Sequence, residues 1–386
     1  MRTATRMDNT LIDVPRGLTN VVATETELSD VRGQEGFYHY RQYSATDLAR
    51  SRSVEDVWQL LLDGHLPDRA EQRVFAAEIA SEAALSAELR DALPAIAAAS
   101  RDADALAGLR AALAFEGARS AAAPLYDLSP GERRRDLVVL ASKVPAIVAA
   151  LHRLRRGEHP LEPRDDLGFV ANYLYMVQGE VPRPEIADAL SVYLVAAIDH
   201  GFNASTFTAR VIASTGADAA SCLVGALGAL SGPLHGGAPS RALDTLDAIG
   251  SRDNVDPWIS QRLAAGQRIM GFGHPVYRTE DPRSALLKEV ALRFGGDRVA
   301  FAVAVEERVP ALLERFKPGR QLHTNLEWYA AIVMELCGLD RELFTPTFAV
   351  ARVLGWTANI LEQSADTKII RPSARYVGPP APQPLP

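Results

Sequence analysis

Apolar residues recur at spacings of three and four along most of the chain, the pattern of helices that bury one face. In PEIADALSVYLVAAIDHG, Ile186, Leu190, Leu194 and Ala197 make one such stripe, with Pro184 near its start and Gly201 beyond its end. SVEDVWQLLLDG predicts a second helix, with Ser53 as N-cap, Asp56 at the third position and Gly64 as the stop. The same period predicts helices over 67–83, 86–99, 103–116, 131–156, 164–178, 206–230, 239–249, 255–268, 282–295, 298–316, 325–338 and 346–365. Strand signals are few. Alternation in NVVATETELSDV and GFYHYRQY, with a glycine-containing turn between them, predicts one short N-terminal β-hairpin. Nothing alternates strand with helix as a doubly wound sheet does, so the chain is expected to be all-α. The proline-rich tail VGPPAPQPLP is expected to be extended.

A chain of 386 residues is long enough for two domains, or for one large domain with an inserted lobe. Its net charge of −7 argues against a general nucleic-acid binder, although it permits a local basic pocket. Cys222 and Cys337 sit in apolar stretches and read as core residues, and no histidine pair has ligand spacing, so no metal site is expected. No window is read as reaching the ~18–20 apolar residues of a membrane span. The first residues lack the apolar region of a secretory signal. The expectation is a cytoplasmic protein with no membrane partner.

The helical pattern breaks at four places that hold polar residues of catalytic type. Asp199-His200-Gly201-Phe202-Asn203 follows an apolar helix, where a histidine taken alone reads as a C-terminal cap. In Ser231-Gly232-Pro233-Leu234-His235-Gly236-Gly237 the glycines let a ligand approach closely, and a helix starting near Pro239 would disfavour the imidazolium of His235. Such a turn is also simply a tight turn. Gly271-Phe272-Gly273-His274 is followed by Arg278 and Arg283, whose planar forks suit carboxylate or phosphate. Its two glycines are not a dinucleotide fingerprint, since no strand precedes them and the third glycine is missing. In His323-Thr324-Asn325-Leu326-Glu327-Trp328-Tyr329 the glutamate either complements a helix dipole or, beside apolar neighbours, serves as a base of raised pKa.

Together, HGFNASTFTAR, PLHGGA and GFGHPVYRTEDPR resemble the three most recognisable stretches of the citrate synthase family, in family order and spacing. The resemblance runs from GLTNVVATETELSDV to IIRPSARYVGP. It implies a large helical domain over 1–236 and 346–386, with a smaller CoA-binding lobe over 237–345. It also implies condensation of acetyl-CoA with oxaloacetate and water to give citrate and CoA. His235 would hold the thioester oxygen, Glu327 would take the acyl proton, and His274 would donate to the oxaloacetate carbonyl. The dicarboxylate would lie against His200, Asn203, Arg283 and Arg352, with Arg371 supplied by the other subunit of a homodimer. Arg278, Gly271 and Gly273 would contact CoA, which enters as a co-substrate, with no tightly bound cofactor.

The family pattern has aspartate where NLEWY has glutamate. Three readings of Glu327 follow: a shifted backbone that restores the geometry, a slower enzyme or one with another acyl-CoA preference, and a silent ligand-binding paralogue. 2-Methylcitrate synthase, which uses propionyl-CoA, shares every motif quoted. One methyl group is worth only ~1–3 kcal/mol to an apolar pocket, so the motifs alone do not separate the two.

Overall fold

The structure is a computed structural model that describes residues 11–104, 106–233, 235, 238–274, 276–316 and 322–385. Gly236, Gly237 and Pro275, which the sequence reading places beside His235 and His274, lie outside the described residues, as does the lobe boundary at 237.

The chain opens with three short antiparallel strands: β1 (Ser29–Arg32), β2 (Phe37–Tyr40) and β3 (Tyr43–Ser44). The register pairs Ser29 with Tyr40 and Arg32 with Phe37. The expected hairpin is therefore part of a three-stranded sheet, and its first strand begins only at Ser29. Tyr38 and Tyr40 are buried and carry the sheet onto the rest of the molecule. Their hydroxyls donate to Ala196 O at 3.2 Å and to Val195 O and Asp199 O at 2.9 and 3.0 Å. These carbonyls lie at the end of a helix, where the backbone lacks partners of its own.

Helices follow without further strands among the described residues. The first group is α1 (Ala45–Ser51), α2 (Val54–Asp63), α3 (Arg69–Glu82), α4 (Ala87–Ala99), α5 (Ala107–Arg119) and α6 (Pro130–Arg155). Then come α7 (Phe169–Gln178), α8 (Pro184–Ala197), α9 (Ala204–Ala213) and α10 (Ala219–Leu230). The last are α11 (Ala238–Ile249), α12 (Val255–Ala264), α13 (Pro282–Phe294), α14 (Asp297–Phe316), α15 (Leu326–Leu336) and α16 (Phe344–Ser364). The all-α expectation holds. Ser53 caps α2 by accepting from Asp56 N–H, and Gly64 ends it in the left-handed conformation, as the sequence predicts.

Three expectations need correction. The helix read over 206–230 is two, because Gly216 turns left-handed at φ 79° and Asp218 then caps a new start by accepting from Ser221 N–H. Helix α1, too short for its period to register, was not anticipated. Finally, α6 contains an 18-residue stretch long and apolar enough to cross a membrane, contrary to the expectation that no window is. Of that stretch 83% is buried inside the fold, so α6 is a core helix. His152 near its end sits between Glu342 Oε1 on Nδ1 (2.7 Å) and Asp340 Oδ2 on Nε2 (3.4 Å), and Arg156 also holds Asp340. With both ring nitrogens engaged by carboxylates, this polar cluster joins α6 to the approach of α16.

Helix α16 is the axis of the larger part. It packs on α2, α6, α8, α9 and α10. At Gly355 its backbone comes so close to the end of α8 that an added Cβ would stand 2.0 Å from Ile198 O. One turn earlier on the same helix is Arg352. Helices α11 to α15 pack mainly on one another through α11–α15, α12–α14 and α13–α15 contacts.

Gly355→Ala is expected to destabilise the fold by about 1–3 kcal/mol or more, because backbone cannot yield as a side chain can. Gly131→Ala, exposed in the first turn of α6 with nothing within 4 Å of the new Cβ, is expected to be neutral or slightly stabilising. Urea denaturation of the two variants checks the contrast.

Candidate active site

The breaks in the helical pattern converge. His200 follows the end of α8, His235 lies between α10 and α11, His274 in the loop before α13, Arg283 in the first turn of α13, Glu327 in the first turn of α15 and Arg352 inside α16. The rings of His200 and His274 are 5.6 Å apart, centroid to centroid, and Tyr277 lies 5.5 and 4.8 Å from them. His200 Nε2 is 2.9 Å from Tyr277 Oη.

His274 is held by main chain. Its Nδ1 accepts from Val276 N–H at 3.0 Å and Tyr277 N–H at 3.1 Å. A neutral ring then carries its hydrogen on Nε2. Yet the neighbour of Nε2, at 3.1 Å, is Arg283 Nη2, which can only donate. Two donors therefore face one another with no acceptor between them. Asp281 fixes the arginine, accepting from its Nε at 3.0 Å and its Nη2 at 2.8 Å, and both side chains are buried.

The remaining cation is less satisfied still. Arg352 is 4% exposed, its Nε is buried without a partner, and it makes no hydrogen bond to another described residue. Its charge is felt at His200, His235 and Asp199. Burial first, then the Arg283 and Arg352 charges, hold His200 well below the usual imidazole range. Burial and Arg283 bring His274 down to about 4. Burial, then Arg352, lowers His235. All three rings are therefore neutral at neutral pH. Burial raises Glu327 above the ordinary carboxylate range, partly offset by Arg283. Its carboxylate takes a hydrogen bond from its own backbone N–H and none from another described residue.

His235 Nε2 lies 2.8 Å from Ser205 Oγ, which is itself 2.8 Å from Asn203 Oδ1. The serine donates its one hydrogen to that amide oxygen, so Nε2 carries the ring hydrogen and donates to Oγ; turning the serine hydrogen to Nε2 would put the ring hydrogen on Nδ1, which has no partner among the described residues. Asn203, expected at the dicarboxylate, is engaged in capping α9, where its Oδ1 accepts from Thr206 N–H at 3.1 Å. Arg278 is exposed beside the sheet and its N–H donates to Gly33 O at 3.0 Å. Gly271 and Gly273 are both left-handed at φ 87°, and a Cβ on Gly271 would strike the Trp328 ring at 2.6 Å. Arg371 is exposed on the extended C-terminal segment and contacts none of these groups.

The sequence reading did not single out Tyr277, Ser205, Asp281 or Tyr193. The first three lie inside the quoted motifs. Tyr193 stands two turns before His200 on α8, fully buried, with its hydroxyl unpartnered. Nothing in an apolar helix marks it.

The family model described as "Citrate synthase, C-terminal domain" matches residues 17–373. The chain belongs to the citrate synthase family. Among curated relatives, the citrate synthase of Synechocystis sp. is 38% identical over 94% of this chain and 90% of that protein. Citrate synthase 2 of Bacillus subtilis is 37% identical over 94% of this chain and 96% of its own length. Among solved structures, citrate synthase from Thermotoga maritima superposes with a TM-score of 0.82 at 34% identity, covering 96% of this chain and 98% of that one. Citrate synthase from Thermoplasma acidophilum, in a ternary complex with carboxymethyl coenzyme A and oxaloacetate, gives 0.88 at 28% identity, covering 97% of this chain and 98% of that one. Membership of the citrate synthase family thus extends over nearly the whole chain and agrees with the all-α fold.

The depressed histidine predicts a pH dependence of stability. Unfolded, His274 binds a proton near pH 6.5; folded, near 4, so between these values the unfolded state holds more protons. Its contribution is present above pH 6.5 and is lost as the pH falls towards 4. Carboxyls held high, such as Asp199 and Glu327, act in the opposite sense. Urea unfolding at pH 7 and pH 5 should therefore show a smaller acid loss in His274→Gln than in the unaltered protein; equal losses would mean the ring is not held neutral.

Proposed function

We propose that the protein is a citrate synthase that joins the acyl carbon of acetyl-CoA to the carbonyl carbon of oxaloacetate. The observation that carries this reading is the pair of facing donors, His274 Nε2–H and Arg283 Nη2–H, 3.1 Å apart, beside Arg352, which hydrogen-bonds no other described residue. Such a cleft is built for a small dianion with a carbonyl oxygen. Charge-assisted pairs with the arginines hold its carboxylates, and the neutral histidines hold its uncharged oxygen.

The chemistry follows from the same groups. Glu327, with a raised pKa and a carboxylate hydrogen-bonded to no other described residue, takes a proton from the acyl methyl. His235 donates to the thioester oxygen and stabilises the enol or enolate, from Nδ1 once Ser205 turns its hydrogen from Asn203 to Nε2. That carbon attacks the oxaloacetate carbonyl, whose oxygen becomes an alkoxide and takes the hydrogen offered by His274. Water then cleaves the citryl thioester and releases CoA. CoA is a co-substrate here, and Arg278 with the 271–273 turn is its proposed contact. Closure of a lobe over 237–345 on the rest of the chain would keep bulk water from the enolate; the mutual packing of α11 to α15 supports that division.

A homodimer completes the site. Arg371 has no partner among the described residues, and around it Ile369, Tyr376 and Val377 are 59%, 72% and 89% exposed. Those apolar side chains are proposed to lie against the second subunit and to bring Arg371 to its dicarboxylate. The setting proposed for this dimer is cytoplasmic, in keeping with an α6 that is covered by the fold itself.

Glu327→Gln is expected to lower turnover on the order of 100- to 10,000-fold while oxaloacetate affinity, measured by calorimetry, stays near that of the unaltered protein. Full turnover in that variant would remove Glu327 from the role of base. Arg352→Gln should instead weaken oxaloacetate binding; unchanged affinity would remove it from the dicarboxylate site.

A further inference from the structure

No other described residue hydrogen-bonds the Glu327 carboxylate, so its place is set by the backbone that carries it. Glutamate also carries one more methylene and one more torsion than aspartate, so the first turn of α15 decides where the carboxylate reaches. That turn is fastened from two sides. On one, Asp281 Oδ2 accepts from Leu326 N–H at 3.1 Å. On the other stands Glu306 of α14, its side chain 15% exposed.

The Glu306 carboxylate is a hub. Its Oε1 accepts from Thr324 Oγ1 at 2.9 Å, and its Oε2 accepts from Tyr329 Oη at 2.5 Å and Lys288 Nζ at 2.6 Å. Thr324 Oγ1 in turn accepts from Ser284 Oγ at 2.8 Å, and Ser284 is the neighbour of Arg283. Thr324 precedes the N-cap Asn325, and Tyr329 follows Glu327 by two residues. At ~100° per residue, Tyr329 points about 200° away from Glu327, so Glu306 grips the turn from behind. Burying a carboxylate costs several kcal/mol, and a well-packed apolar trio would hold three helices as firmly. What the carboxylate adds is direction.

We propose that Glu306 is a positioning residue for the condensation: by binding Thr324, Tyr329 and Lys288 it sets the first turn of α15 and so the reach of the Glu327 carboxylate. The inference rests on the reading of Glu327 as the base. Glu306 touches neither substrate. Its loss is felt as misplacement of the base, and a displacement of ~1 Å costs on the order of 100-fold in rate.

The test uses the full-length protein and steady-state kinetics with acetyl-CoA and oxaloacetate. Glu306→Gln should lower kcat on the order of 10- to 100-fold and leave the oxaloacetate KM unchanged. Thr324→Val and Tyr329→Phe, which remove one tether each, should lower kcat several-fold in the same way. They carry the test if Glu306→Gln does not fold. Because Glu306 acts through Glu327, each change should cost nothing further in a Glu327→Gln background. An unchanged kcat, an effect confined to KM, or an equal loss in both backgrounds would overturn the proposal. Full turnover in Glu327→Gln alone would instead remove the base reading on which it rests, so the two failures are distinct.

Discussion

Asp281 is 1% exposed and its carboxylate accepts four hydrogen bonds, from Arg283 N, Nε and Nη2 at 3.0, 3.0 and 2.8 Å and from Leu326 N at 3.1 Å. A buried carboxylate is costly unless it is paired and saturated, and this one is both. It caps α13, orients the arginine fork and ties the start of α15 to the start of α13. The placement of Arg283 against His274, and of Glu327 beyond Leu326, follows from that single anchor. Were Arg283 free to turn, the two donors would separate and the cleft would lose its demand for an acceptor.

The electrostatics have one consistent sense. Two buried arginines, Arg283 and Arg352, make the cleft positive in a chain whose net charge is −7. The same charges, with burial, deny the nearby histidines their protons. The cleft therefore offers full charges to carboxylates and neutral N–H donors to carbonyl oxygens. A neutral donor is matched to a carbonyl that becomes an enol or alkoxide, because it does not surrender its proton before the charge develops.

Much of this was legible in the sequence, for stated reasons. Ser53 and Gly64 bound α2 because capping and left-handed glycine are local effects. His200, His235, His274, Arg283, Glu327 and Arg352 come from motifs or family resemblance, and the fold collects them. What escaped is what depends on distant residues. The apolar run in α6 looks the same whether lipid or protein covers it. The break at Gly216 was hidden by helical period on both sides. Asn203 lies in a family motif, yet its oxygen is engaged by the helix it starts. The grip of Glu306 on α15 joins residues 18 and 23 positions apart, which no local pattern reveals.

The most direct measurement is thiol release by the purified, unaltered protein given acetyl-CoA with and without oxaloacetate, with propionyl-CoA run in parallel. The account predicts rapid release from acetyl-CoA that depends on oxaloacetate, with citrate as the product. Release from neither thioester, or release indifferent to oxaloacetate, would contradict it.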